Sequence, residues 1–282
     1  MWGVFSISIL IGSCTRREIE SLPTNGNVHI SMNWDNLYKE DAKPSSMKLY
    51  FYGSKGTVII KECSSDGFSG ELPLETYKVL TYNTNASNVV YSGLESFEKA
   101  SVTASSATKS TYISQPTDVY GVGIDNLSVS FDTLAKVSMK PLNLIKRAYV
   151  KINLSGNLSV VGSCHCTIDG FVGSARISTG DVSNDQNCTF FVASPSTDGY
   201  ASTVTFFGRT PETKNDLTVT LNFIGGGSQQ VNADITSGLD KLGPNITAVD
   251  LKMEVKISGS VESGYNATLK GWNIEERKMD MQ

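Results

Sequence analysis

The sequence predicts an all-β protein built from two tandem antiparallel β-sandwich domains. Three observations lead there. Apolar and polar residues alternate with a period of two in one stretch after another, the pattern of strands with one face in a core and one in water. Turn-forming residues separate these stretches at short intervals. About 268 residues follow Cys14, which suits two domains of ordinary size better than one.

The elements follow in order. Val28, Ile30, Met32 and Trp34 alternate with His29, Ser31 and Asn33. Val150, Ile152 and Leu154 alternate with Lys151 and Asn153, and Leu217, Val219, Leu221 and Phe223 with Thr218, Thr220 and Asn222. The cleanest run sets Val249, Leu251, Met253, Val255 and Ile257 against Asp250, Lys252, Glu254, Lys256 and Ser258. Further strands are expected at 48–52, 57–61, 77–82, 120–124 paired with 127–131, 189–193 and 203–207. Gly53-Ser54-Lys55-Gly56, Ser65-Asp66-Gly67 and Gly225-Gly226-Gly227 read as hairpin turns. Residues 94–99 and 142–146 suit single helical turns. The Ser-, Thr- and Ala-rich stretch 101–117 reads as a long exposed loop. The domain boundary is expected near 134–141, giving one sandwich over 28–135 and another over 136–274. A tether precedes them at 14–27 and a charged tail follows at 275–282. Ala267, Leu269 and Gly271 alternate in the last segment. It reads as a domain-closing strand with a frayed end, the other reading being a strand donated to a neighbour.

Residues 2–11 form an apolar run too short to span a membrane, which takes roughly 20 residues, but suited to an export signal. The run ends in Ile11-Gly12-Ser13-Cys14. This resembles the lipobox of bacterial lipoproteins, with residues 1–13 as the signal peptide and Cys14 as the lipidated residue. Residues 1–13 hold no Lys or Arg, so the basic start of such a signal is expected upstream. A triacylated Cys14 would attach the protein stably to a membrane. Export permits disulfides. Cys164 and Cys166 point the same way from a strand, and Cys188 is the candidate partner of one of them. Cys63 has no evident mate. Buried free thiols are the competing reading.

Net charge is −4, with 28 acidic and 24 basic residues and no clustered basic patch, so nucleic acid is not an expected partner. Catalytic groups are scarce. His29 lies on the polar face of its strand. His165 sits between Cys164 and Cys166 but points away from both, which argues against a shared metal ion. Asp169-Gly170 reads as a turn. Asp118 and Asp125 flank Tyr120-Gly121-Val122-Gly123, which lacks the lysine of a phosphate loop. A non-enzyme without metal or cofactor is expected. Aromatics are frequent early: Trp34, Tyr38, Tyr50, Phe51, Tyr52, Phe68, Tyr77, Tyr82 and Tyr91. Consecutive Tyr50-Phe51-Tyr52 must place rings on both faces of a strand. With Trp272 they are the supply for a glycan-binding surface, the alternative to core packing.

The order of segments carries a resemblance: Ser13 to Glu18, then 28–34 with Asp35, 47–52, 67–73 with 77–83, 115–122, and Cys166-Thr167-Ile168-Asp169-Gly170. It is similar to the lipid-anchored fimbrillin-type proteins of the Bacteroidetes, the anchor and accessory subunits of fimbriae. The resemblance spans nearly the whole chain. It implies transthyretin-like sandwiches, an outer-membrane location, other fimbrial subunits as partners, and pilus assembly by strand complementation. It also implies that stalk subunits mature by cleavage at an arginine, which removes the lipidated N-terminal segment. Here Arg16 and Arg17 follow Cys14 directly, and the next arginine is Arg147. Retention of the first strand and its lipid is therefore expected, as an anchor requires. The alternative is a surface glycan-binding lipoprotein.

Overall fold

The computed structural model describes residues 23–39, 41–106, 112–242 and 247–277. The first half contains β1 (Asn25–Met32), β2 (Met47–Gly53), β3 (Val58–Cys63), β4 (Gly67–Pro73), β5 (Thr76–Asn83), β6 (Val89–Ser92), β7 (Ser101–Ala104), β8 (Tyr112–Ile113), β9 (Tyr120–Ser128), β10 (Ala135–Met139) and β11 (Leu142–Asn143). The second contains β12 (Lys146–Gly156), β13 (Val161–Phe171), β14 (Ser174–Arg176), β15 (Asn187–Ser196), β16 (Gly199–Phe206), β17 (Asp216–Phe223), β18 (Ser228–Asp234), β19 (Ala248–Ser260) and β20 (Gly264–Glu276), with one short helix at Thr236–Leu239. The protein is all-β, as the alternation requires.

The N-terminal sandwich packs the sheet β10-β1-β4 on the sheet β11-β9-β5-β2-β3. Val28, Ile30 and Met32 of β1 meet Met47, Leu49 and Phe51 of β2 and Tyr77 and Val79 of β5 in its core. The middle sheet is apolar on its other face as well. Tyr50, Leu80 and Tyr82 point there, under a third layer, β14-β7-β6, with Phe97, Val102, Ala175 and Ile177. The rings of residues 50–52 are thus divided between two interiors.

The C-terminal sandwich is one sheet folded on itself, in the order β18-β17-β13-β15-β16-β12-β19-β20. β15 turns the corner: its first part pairs with β13, and Ser194–Ser196 pair with β16. Phe171 stacks on Phe206 at 3.7 Å inside. β20 pairs with β19 from Val249↔Glu276 to Ser260↔Gly264, so the last described strand closes its own domain. It runs to Glu276, so Glu275 and Glu276 belong to the strand rather than to a tail.

Several expectations change. β10 pairs in parallel with β1, and β11 pairs with β9. The changeover between sandwiches therefore falls between Asn143 and Lys146, beyond the expected 135/136. Residues 120–131 hold one strand, not a pair. A register shift between Tyr77 and Val79 lets Asp125 and Asn126 bulge outward. Stretch 101–117 is not a loop throughout: β7 pairs with β14 and β8 with β15. Its small residues let it pack closely, with Val102 and Ala104 buried. Residues 142–146 are extended, because Leu142 and Asn143 pair with β9. Asp169-Gly170 does not reverse the chain. Gly170 (φ +82°) makes a bulge in β13, where an added Cβ would stand 2.3 Å from the Lys214 carbonyl oxygen. Gly67 (φ +125°) does form the expected turn, against the Ile30 carbonyl.

Ile30 is fully buried at the centre of the first core. Ile30→Ala is expected to destabilise the protein by about 2–5 kcal/mol, read as a lowered midpoint of urea unfolding.

Candidate functional site

The site is the first strand and the junction behind it. β1 lies between β4, antiparallel, and β10, parallel, so both its edges are hydrogen-bonded. Its inner residues Val28, Ile30 and Met32 and the following Trp34 are all buried. Each contributes roughly 1.5–3 kcal/mol by burial, so removing the strand would open a deep apolar groove. The exit of β1 is held too. The Met32 amide donates to the Asp66 carbonyl at 3.1 Å and the Asn33 amide to the Met139 carbonyl at 2.8 Å. Trp34 donates from Nε1 to the Ser65 carbonyl at 2.7 Å and meets Tyr120 edge-on at 5.4 Å. His29 faces outward, 2.8 Å from the Ser69 hydroxyl.

Behind β1, three charges far apart in sequence meet at the junction. Arg147, at the start of β12, donates from Nη1 to Asp41 Oδ1 at 3.0 Å and from Nη2 to Asp41 Oδ2 at 3.1 Å. Its Nη2 also reaches Asp118 Oδ2 at 2.5 Å. Asn143 donates to Asp118 Oδ1 at 3.0 Å, and the Tyr120 hydroxyl lies 3.4 Å from Asp41 Oδ2. The Arg147 and Asp41 side chains are 12% and 10% exposed. Burial alone would lower the Arg147 pKa, but hydrogen bonds to Asp41 and the charge of Asp118 hold it above the usual value. Burial, then the charges of Asp118 and Asp41, raise that of Tyr120. The Tyr38 hydroxyl bonds Thr247, and the Arg147 amide donates to the Thr247 carbonyl at 2.7 Å.

Further bonds tie the halves together. The Ala104 amide donates to the Gly173 carbonyl at 2.7 Å and the Gly123 amide to the Ser178 carbonyl at 3.0 Å. Thr205 donates from its hydroxyl to the Pro116 carbonyl at 2.6 Å and from its amide to Gln115 Oε1 at 3.2 Å. Sequence reasoning singled out Arg147 only as a distant arginine and Asp118 only as a neighbour of glycines. It passed over Asp41. No local pattern marks the trio.

The remaining predicted site residues stand apart. Cys14 and the signal peptide lie outside the described residues. Cys63, Cys164, Cys166 and Cys188 are free thiols. The expected bridge from Cys188 to Cys164 or Cys166 does not form, for a geometric reason. Cys164 and Cys166 point into the second core, their sulfurs 4.0 Å apart. Cys188 is paired with Asp169 and shares the outer face with Phe190 and Val192, so the sheet itself stands between. His165 also faces outward, 5.6 Å from the Phe190 ring and 3.4 Å from the Asn222 amide nitrogen. Burial pushes the Cys63 thiol up to about 11. Burial and a hydrogen bond to Asp169 push Cys188 up to about 12. Most of the rings named for glycan stacking are spent on packing: Trp34, Tyr38, Tyr50, Phe51, Tyr77 and Tyr82 are buried, while Tyr52, Phe68, Tyr91 and Trp272 are half-buried. Among the described residues no helix is long and apolar enough to cross a membrane.

Residues 13–192 match a family model described as a domain of unknown function (DUF5119). The chain belongs to that family. A curated relative of this DUF5119 chain, described as a candidate fimbrium anchoring subunit (Fim4B) of Bacteroides ovatus, is 24% identical over 177 residues. The match takes in 59% of this chain and 52% of the relative, so the chain spans about half the relative's length. Among solved structures, a candidate adhesin from Bacteroides ovatus aligns with TM-score 0.67 at 18% identity, over 92% of this chain and 98% of that one. The fimbrial anchor protein Mfa2 from Porphyromonas gingivalis aligns with TM-score 0.60 at 10% identity, over 93% and 100%. A candidate polysaccharide-binding protein from Bacteroides thetaiotaomicron aligns with TM-score 0.58 at 10% identity, over 91% and 99%. This DUF5119 chain shares its fold with these fimbrial-anchor and candidate-adhesin structures, in line with the resemblance read from the order of its segments.

Two outcomes are expected at the junction and the thiols. Arg147→Ala leaves two carboxylates facing each other without their cation, and should cost about 3–5 kcal/mol. A cycle with Asp41→Ala measures the coupling. The raised pKa values leave far less of Cys63 and Cys188 ionised at pH 8 than of a free cysteine. Ellman's reagent should therefore react slowly with Cys63, Cys164, Cys166 and Cys188 in the native protein, faster as pH rises, and with all of these four at once in guanidinium.

Proposed function

We infer that this protein is an outer-membrane lipoprotein and an anchor or accessory subunit of fimbriae, a structural rather than a catalytic component. It would be attached through lipid on Cys14 and joined to neighbouring subunits by strand complementation. One observation carries the reading: the first strand is built into the N-terminal core, and no arginine lies where a cut would free it. Arg16 and Arg17 precede β1. Arg147 lies in β12, paired on both sides by β16 and β19, with its side chain in the ion cluster. The fimbrial descriptions of the sequence relative and of Mfa2 support the same reading. Eleven residues lead from Cys14 to Asn25, at most about 40 Å of extended chain. The lipid would thus hold the sandwich close to the bilayer. The burial of Trp34, Tyr38, Tyr50, Phe51, Tyr77 and Tyr82 weighs against the glycan-binding alternative.

Mass spectrometry of the protein from purified outer membranes and fimbriae tests this. A mature N-terminus at acylated Cys14, with residues 25–32 present, is expected. An N-terminus downstream of Val28 would overturn it, including one made by cleavage after the exposed Lys39 or Lys43. Cys14→Ser should move the protein from the membrane fraction to the soluble periplasmic fraction.

A further inference from the structure

The first layer of the N-terminal sandwich lies on the covalent path between the two ends of that domain. β1 receives the chain from the side of Cys14. β10 passes it on, since only residues 140–145 separate Met139 from Lys146, where the second sandwich begins. β1 and β10 are parallel, in register from Val28↔Ala135 to Met32↔Met139. The N-terminal end of β1 and the C-terminal end of β10 therefore sit at opposite ends of one ladder. Traction on the chain ahead of β1, opposed by the second sandwich, draws the two strands past each other along their length. All the bonds of the ladder are then loaded together. A strand peeled from its end loads them one at a time.

Three features add to this. β4 supplies a second ladder, from Asn25↔Pro73 to Ser31↔Gly67, loaded along the same axis. Sliding β1 would also drag Val28 and Ile30 out of the core. The link 140–145 is fastened as well: Leu142 pairs with Gly121, the Leu144 amide donates to the Val119 carbonyl at 2.8 Å, and Ile145 is fully buried. Arg147 then grips Asp41 and Asp118 across the junction. The second sandwich repeats the arrangement, its first strand β12 running parallel to β19 from Arg147↔Ala248 to Gly156↔Ile257.

The geometry points to a mechanical device: β1, held in shear by β10 and β4, is a clamp that carries tension between the N-terminal tether and the second sandwich. It rests on the anchor reading for the source of the load, not for the mechanics. Forced unfolding follows the unfolding rate along the pulled direction, so the direction of pulling is the test.

Single-molecule force spectroscopy on the full chain carrying Cys14→Ser compares two geometries. In both, one handle is at the N-terminus. The second is placed either in the exposed turn Val261–Ser263 or at exposed Pro73, opposite Asn25 at the same end of the ladder. Opening of the N-terminal sandwich, identified by the length of chain released, is expected to need several-fold more force in the first geometry. Equal forces, or a lower force in the first, would overturn the clamp. The lipid is absent from this experiment, so its result is independent of where the mature chain begins.

Discussion

The middle sheet of the N-terminal half must be covered on both faces. Side chains alternate across a strand, and β2 and β5 carry large apolar groups at both parities. Phe51 and Val79 face one way, Tyr50, Leu80 and Tyr82 the other. Water has to be kept from both sides. The sheet containing β1 covers the first face. The second is covered by a small sheet whose third strand, β14, comes from the other half of the chain. The two sandwiches are therefore interleaved, sharing a core that includes Ile145, Ala175 and Phe207.

Interleaving brings charged and polar groups into a crowded junction. Arg147, Asp41 and Asp118 lose most of their water there, a cost repaid only where geometry is good. The bidentate contact between Arg147 and Asp41 supplies that geometry, and Asn143 satisfies a remaining oxygen of Asp118. The cluster ties the loop after β1 to the first residues of β12, so the strand nearest the tether and the strand that opens the second sandwich share one anchoring point.

Each sandwich treats its first strand alike, between an antiparallel neighbour and a late parallel one: β4 and β10 around β1, β16 and β19 around β12. The pairing of β1 with β10 joins residues more than a hundred positions apart. Such contacts form against a large loop-closure cost, so they belong to the finished fold. They also make the first strand hard to withdraw.

Period-two alternation is a local signal, and by itself the sequence determined that the chain is all-β, where most strands lie, and that the turns at Gly53–Gly56 and Gly225–Gly227 reverse the chain. It could not choose partners. Residues 134–141 read as a domain boundary, whereas the strand Ala135–Met139 within them belongs to the first sandwich through its ladder with β1. Stretch 101–117 looked like a loop because Ser, Thr and Ala carry little apolar surface, yet small side chains are what a thin third layer accepts. Cys188 misled because β15 is apolar at both parities: Phe191 and Ala193 face the core while Phe190 and Val192 face out, and composition cannot say which side is buried. Asp41, Asp118 and Arg147 meet only because sheets bring distant segments together. Tertiary structure alone decided these points, since strand pairing and burial depend on what lies across the sheet rather than on neighbours along the chain.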